Sequence, residues 1–587
     1  MVLTAAALLM LGVDVVELSG LQQPRSVTAD SAGALRSAER LLYEYLHFDS
    51  SPRFRHLSAH VTGEYHFGGL VAAKHAARPA VLSQLDNLGD RRAADDWIVG
   101  QRAMLRIEHG LLEEALHVAR TCQGTPWWCQ ELEGLVLHLL GETQAAESVF
   151  AQSLESMPPL ERCFASDILF LTDELAWDRF GEPEAAQSAR ALAKKRYTFD
   201  RRRGYSEPIC DEWSDVTHTF WWLADPFFLL PGNDRYTEHR SRIVATWLMA
   251  HLQMAVPDRN VLPGRPVYRG RWFGWLRPEH WEQAVRAGWP PRPYIASGWP
   301  PAAGNDSYGF DPGTSALKDP LGIESEDLRH NSPTTPGRYA PRYGPVAELE
   351  PQVAFFRRGE SVEVAAALDI ERADVGIAPG DSVLAGVVLA LGPSDPHVVD
   401  STRDVGPRHH FRFRVPDRRY LMSIEILGAQ GGAGRARFSH GAPDAASDGT
   451  GISDLLLFEW DDRVSADLGE VTPYMLGSLR TSRQRPLGLY WETYAPDPMG
   501  SHVMSIRLVP EQRSRIRRLG ERLRLVGSPE EVAFTWEEDS ADRESGRAEH
   551  ILRLGLENLR VGRYTVELSV RTSTHTLSTT RSLEVTG

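Results

Sequence analysis

Apolar residues recur at spacings of three and four from about Ala32 to Tyr197, with few strand-like alternations, which predicts a helical first half. Beyond Pro345 the pattern changes. Short apolar or alternating runs are broken there by Gly, Pro, Asn and Asp, which predicts strands. Seven runs fall in a first set: VAFF from Val353, SVEVAAALDI, SVLAGVVLAL, HFRFRV, YLMSIEIL, RARFS and DLLLFEW. Six more, GLYWETY, VMSIRLV, EVAFTW, HILRLGL, RYTVELSV and TRSLEV, make a second. The predicted fold is multidomain, α then β, with two antiparallel β-sandwiches at the C-terminal end.

Within the helical half, CQELEGLVLHLLGETQAAESVFAQSLESMPP predicts a pair of helices whose small residues let them approach while Phe150 fills the gap. Gly134, Gly141, Ala146, Phe150 and Pro158 stand where a tetratricopeptide repeat has its small residues, alanine, aromatic and terminal proline, so the segment resembles that repeat. Upstream, Gly110, Ala115 and Ala119 mark a shorter, degenerate copy. Such repeats bind peptides in many families, and equally serve as scaffold without a ligand. In the β half, Leu559, Gly562 and Tyr564 resemble the entry to a late strand in immunoglobulin-like and fibronectin-like modules. GAQGGAGR, from Gly428, sits between two predicted strands with no helix after it and predicts a hairpin turn rather than a phosphate loop. The arginines of VPEQRSRIRRLGERLR lie among glutamates and predict a short solvated helix.

Between the halves, nine of the sixteen tryptophans fall from Trp213 to Trp299, which makes this stretch the expected joint. Phe220, Trp221 and Trp222 precede an Asp-Pro break at Asp225, and a second apolar block runs from Phe227 to Leu230. Pro231-Gly232 predicts a turn. Asn233 or Asp234 suits the N-cap of an amphipathic helix running to about Met254, and Glu238 favours its dipole. Its apolar face carries His239, Ile243, Val244, Trp247, Leu248 and His251. The candidate binding residues are therefore Trp221, Trp222, Asp225, Asn233, Asp234, Glu238 and His239. A hydrolase would recruit the acidic groups and His239 as acid, base or metal ligand. Against that, Glu238 and His239 are adjacent and diverge by about 100° on a helix, and no H-E-x-x-H, G-x-S-x-G or P-loop motif occurs. No catalytic residue, metal or cofactor is assigned.

The aromatic block with its Asp-Pro, the Asn-Asp helix entry, Arg242 and the pairs Gly288-Trp289 and Gly298-Trp299 resemble the GWxTD-domain proteins, exported bacterial proteins with helical repeats before and β-domains after. Neither Gly-Trp pair is followed by the Thr-Asp that names the family, so the resemblance is to a divergent relative. It implies export and brings no catalytic residues. Between Pro290 and Pro345 lie eleven of the 38 prolines, which marks a loop segment, with Trp289, Tyr294, Trp299 and Tyr308 suited to packing or to stacking on sugar rings.

Composition narrows the function classes. With 64 basic against 79 acidic residues the chain carries −15, which disfavours nucleic acid and anionic membrane as partners. The run from Val2 to Val13 is too short to span a bilayer and matches the apolar region of a secretory signal, without a preceding Lys or Arg; a buried first helix is the other reading. Four cysteines fit an exported chain with bridges Cys122 to Cys129 and Cys163 to Cys210, since the first pair flanks the loop between two helices; a cytosolic chain would hold four buried thiols.

The expected domains are an N-terminal apolar segment at 1–25, repeats at 30–200, an aromatic-rich mixed module at 201–289, the loop segment at 290–345, and sandwiches at 346–465 and 466–587. The expected function is that of an exported, non-enzymatic scaffold of the cell envelope, periplasmic or on the surface, with protein partners and no membrane span in the mature chain. Its alternatives are an envelope-polymer hydrolase with a site at 225–239 and a carbohydrate binder using the tryptophans.

Overall fold

The computed structural model describes residues 79–90, 93–158, 162, 165–166, 214–254, 346–370, 375–378, 380–392, 396–403, 406, 408–440, 450–494, 502–511, 532–538, 546–572 and 575–587. The expectations for residues 1–25, Cys163, Cys210, both Gly-Trp pairs, the loop segment at 290–345 and the arginine-rich helix lie outside them. The chain forms two compact units. Among the described residues, the first holds 79–166, 214–217 and 231–254, and the second holds 218–230 and everything from 346 onward. The described part of the expected central module is thus divided at Leu230 and Pro231.

In the first unit, α1 (Asp96–Glu108) and α2 (Leu112–Arg120) form one hairpin, turned at Gly110 with φ 74°. α3 (Pro126–Leu140) and α4 (Thr143–Ser156) form a second. Pro126 opens α3, where its missing N–H costs nothing, and Gly141 ends it in the left-handed conformation at φ 87°. The expected role of Gly134 is visible in the geometry, because a Cβ there would lie 2.6 Å from the Phe150 ring. Phe150, Ala146, Ala115 and Ala119 are buried. Cys122 and Cys129 are joined, Cα to Cα 5.7 Å, across the α2–α3 turn. α6 (Asp234–Met254) lies against α1, α3 and α4. Its Trp247 ring meets Trp127 at 5.7 Å and Trp128 at 6.2 Å.

In the second unit, four sheets are stacked. The first has the order β1-β8-β7-β4-β5 and the second β2-β3-β6. These strands are β1 (Val346–Glu348), β2 (Gln352–Arg358), β3 (Ser361–Asp369), β4 (Val383–Ala390), β5 (Pro396–Arg403), β6 (Arg408–Pro416), β7 (Tyr420–Gly428) and β8 (Ala433–His440). The third sheet runs β10-β12-β15, with β9 also on β12, and the fourth β11-β17-β16-β13-β14. Here the strands are β9 (Gly451–Ile452), β10 (Leu456–Glu459), β11 (Arg480–Ser482), β12 (Leu487–Tyr494), β13 (His502–Pro510), β14 (Val532–Glu538), β15 (Arg547–Leu554), β16 (Gly562–Arg571) and β17 (Thr576–Thr586). α7 (Leu468–Val471) and a 3-10 turn (Thr472–Tyr474) link β10 to β11.

Alternation along each strand decides which layer it meets. Val362, Val364 and Ala366 of β3 join Ile424 and Ile426 of β7 in a core between the first two sheets. Ala365 and Ala367, on the opposite face of β3, pack with Phe356 against Leu456, Phe458 and Tyr490 of the third sheet. A third core, with Leu489, Trp491, Ile506 and Leu568, lies between the third and fourth sheets. The middle sheets are therefore buried on both faces, so that β12 is buried throughout and β3 at all but its first residue, Glu363 and Glu492 included.

The two halves share a plan: β1 runs parallel to β8 as β11 does to β17. Both also carry a tyrosine at the start of a central strand whose hydroxyl returns to the backbone four residues earlier, Tyr564 to the Arg560 carbonyl at 2.8 Å and Tyr420 to the Pro416 carbonyl at 3.3 Å. DLLLFEW, expected as the last strand of the first sandwich, contains β10, which pairs with β12 from Leu456 opposite Tyr490 to Glu459 opposite Leu487. The change of partner falls between β8 and β9 rather than at 465, and apolar alternation cannot reveal it because either neighbour would bury the same side chains.

Candidate functional site

The seven candidate residues divide between the two units. Trp221, Trp222 and Asp225 belong to the β unit, where the end of α5 (Ser214–Ala224) and the loop after it form a strap over the outer face of the first sheet. Trp222 stacks on Phe228 with centroids 6.2 Å apart and joins Leu223, Val388, Ala390 and Leu421 in an apolar cluster. Trp221 is buried and meets Phe220 edge to face at 5.0 Å. The Asp225 side chain accepts the Phe227 N–H at 3.0 Å, closing the Asp-Pro turn.

Sequence reasoning missed the groups that hold this strap. The buried carboxylate of Glu425 on β7 accepts the N–H groups of Phe228 and Leu229 at 3.0 and 2.9 Å. Arg437 on β8 donates to the Leu223 carbonyl at 2.9 Å and lies 3.7 Å over the Phe228 ring. Arg435 donates to the carbonyls of Asp225 and Pro226 at 2.7 and 3.1 Å. Burial pulls Arg437 below its ordinary pKa, opposed by Glu425 and Asp225. Gly386 on β4 completes the seat, since a Cβ there would lie 2.7 Å from Leu229. The available signal was a charge inside an apolar strand, as in IEIL and RARF, on the face that a one-sided sheet would show to water.

Asn233, Asp234, Glu238 and His239 belong to the helical unit. Asn233 is the cap of α6: its side-chain oxygen accepts the Tyr236 N–H at 3.0 Å, and its own N–H donates to Glu147 at 2.9 Å. Asp234 is the first helical residue and is buried. Gly232, at φ 82°, lets the chain pass close to α4, where a Cβ would lie 2.7 Å from the Gln144 nitrogen. Glu238 contacts His138 Nε2 at 2.7 Å and accepts from Arg242 Nε at 2.8 Å. Burial raises the Glu238 pKa, but Arg242 and His138 outweigh it and hold the carboxyl down to about 2. His138 Nδ1 meets the Thr237 hydroxyl at 3.0 Å. The result is a hydroxyl–imidazole–carboxylate chain of the kind that activates a nucleophile, but Thr237 is fully buried and its hydroxyl also donates to the carbonyls of Asn233 and Asp234. It ties α6 to α3.

His239 is fully buried, and burial with the neighbouring Arg240 and Arg242 keeps its imidazole neutral, well below the usual histidine range. Beside it Arg240 pairs with Glu131 of α3, both fully buried, and donates to the Ala165 carbonyl at 2.8 Å, while Ser153 of α4 donates to the same carboxylate. A third buried set lies between the two middle sheets. Glu492 accepts both Arg358 Nη atoms, at 2.6 and 2.8 Å, and the hydroxyls of Tyr490 and Tyr494, both at 2.9 Å. Arg358 Nε also donates to Glu363, which accepts from Arg412 as well. The Gln352 amide extends the β2 edge by donating to the Leu457 and Leu476 carbonyls and accepting the Leu457 N–H. Among the described residues, no group of three or more His, Cys, Asp or Glu side chains is placed to hold a metal ion, and no helix is long and apolar enough to cross a membrane.

No family model matches the chain, and no curated protein matches it. Among solved structures, red sea bream transglutaminase aligns at 10% identity over 40% of this chain and 31% of its own, with a TM-score of 0.13. The chicken CNTN1 FN1–FN3 domains align at 12% identity over 41% of this chain and 68% of their own, with a TM-score of 0.14. At such scores neither likeness bears on what this chain folds into or does.

Proposed function

We propose that the chain is an exported, non-enzymatic scaffold that binds or assembles other proteins of the cell envelope. In this reading the helical unit is a tetratricopeptide-like arm, the β unit consists of two immunoglobulin-like sandwiches packed on each other through their middle sheets, and the whole is a divergent relative of the GWxTD-domain proteins. The observation that carries the reading is the fate of the candidate site: Trp221, Trp222, Asn233, Asp234 and His239 are buried, and the half-buried Asp225 and Glu238 are engaged in a backbone turn and in ion pairs, beside the helix cap of Asn233 and the ring stack of Trp222. An acid or base must reach a substrate proton, and a sugar platform must present a ring face. The two stacked hairpins, closed by the Gly134–Phe150 contact, and the repeated strand plan with its two tyrosine corners support the repeat and immunoglobulin-like parts. The Cys122–Cys129 bridge is the pairing an oxidising compartment permits.

A photo-reactive amino acid placed in cells at the exposed positions Leu111, His117, Phe534 or Val561 tests the reading. Discrete adducts with other envelope proteins at one or more positions are expected. Absence of adducts at all four, together with release of soluble fragments from envelope polymer by the purified chain, would contradict it.

A further inference from the structure

The outer face of the first sheet holds the chain's own strap largely by its main chain. The polar contacts described there run from charged side chains of the sheet to main-chain atoms of the strap. Glu425 takes two consecutive N–H groups, Arg437 takes the Leu223 carbonyl, and Arg435 takes the carbonyls of Asp225 and Pro226. Two rings, Trp222 and Phe228, anchor the segment between those contacts, and Leu229 enters the gap left by Gly386. The sheet thus holds the end of a helix and the loop after it by main-chain atoms and a few ring anchors, contacts that any copy of the same segment could make.

Two further observations separate the strap from the sheet it covers. The principal core of these strands lies on their other face, between the first and second sheets, and contains no strap residue. The clamp also has partners of its own on the sheet: Arg437 lies 3.5 Å from Glu425, and Ser423 donates to the same carboxylate. Removal of the strap therefore leaves Glu425 and Arg437 paired with each other and the core between the sheets in place, while it breaks the Arg435 bonds to the strap and uncovers Val388, Ala390, Leu421, Val346 and Ala433. The strap meanwhile keeps its own local bonds, the Asp225 turn and the Trp222–Phe228 stack.

The geometry points to a docking site on this sheet that accepts residues 218–230 as a separable ligand, in cis within one chain or in trans from a second copy. A second copy is the partner because the one sequence that demonstrably fits the clamp is this chain's own. The inference shares with the scaffold reading only the idea that the molecule binds protein, and either can fail alone, since this site is probed with the chain's own peptide and the other reading with foreign partners.

The test is fluorescence anisotropy of a labelled peptide of residues 218–232 titrated with full-length protein. The Phe228→Ala chain, its own strap weakened, should bind the peptide saturably and at least about tenfold more tightly than the wild-type chain, whose strap competes at high effective concentration. Adding Glu425→Ala should abolish the binding. Equal binding by wild type and Phe228→Ala, or binding by neither, would overturn the proposal. Should Phe228→Ala fail to fold, hydrogen exchange of the wild-type chain decides instead. The Phe228 and Leu229 amides should exchange at least about tenfold faster than those of Ile424 and Ile426, and exchange at a common rate would mean the strap is integral to the sheet.

Discussion

At the scale of single residues, polarity in this chain marks attachment more often than chemistry. Asn233 and Asp234 both suited the cap of α6 by type, and the structure assigns the cap to Asn233 through its bond to the Tyr236 N–H. Asn233→Ala should therefore cost about 1 kcal/mol while Asn233→Ser costs far less, as measured by urea unfolding of the helical unit. Glu238 gives a pH dependence with a defined sign. Its carboxyl is held down to about 2 from an ordinary 4.5, so the stability it contributes is present above about pH 4.5 and is lost as pH falls toward 2. Urea midpoints taken from pH 7 to pH 3 should fall less steeply for Glu238→Gln than for the wild type. Equal slopes would mean that the ion pair with Arg242 and His138 adds nothing.

Elements were legible in the sequence to the extent that they are made by local signals. The hairpin of α3 and α4 could be read from Gly134, Gly141 and Phe150 because each acts within a few residues or across one helix pair. Gly134→Val should cost about 1 to 3 kcal/mol by driving a side chain into the Phe150 ring, and Phe150→Leu in the same chain should recover part of the loss in thermal unfolding. Most of the long strands were likewise visible as apolar runs. Their partners were not. Short β1, β9 and β11 carry too few residues to show a period, and β5, PHVVDSTR, has little apolar pattern. The pairing of β10 with β12, and the burial of β3 on both faces, depend on sheets brought together from distant parts of the chain, which spacing does not encode. Tyr420 shows the same limit. Its return bond to Pro416 matches that of Tyr564, yet PDRRY lacks the Leu-x-x-Gly-x-Tyr pattern that made the second corner readable.

For the whole molecule, the aromatic stretch that looked like one joint is two attachments that follow one another in sequence. Residues 218–230 give their rings and main chain to the first sheet, and residues 231–254 give a buried charged helix to α1, α3 and α4. Glu425 could not be associated with Phe228, nor Glu131 with Arg240, because each pair is separated by more than a hundred residues, 197 and 109 respectively, and no alternation rule links such positions. The division also bears on a fragment of residues 346–587, which holds the two expected sandwiches without the strap. Its cores between sheets are present, but Val388, Ala390 and Leu421 would lose the strap that covers them. The most direct measurement of the division is residue-resolved hydrogen exchange of the full-length chain carrying either Glu425→Gln or Asn233→Ala. Glu425→Gln should raise exchange at Phe228 and Leu229 and leave Tyr236 and Thr237 unchanged, and Asn233→Ala should do the reverse. If both sets of amides respond together to either substitution, residues 218–254 behave as one module and the account is wrong.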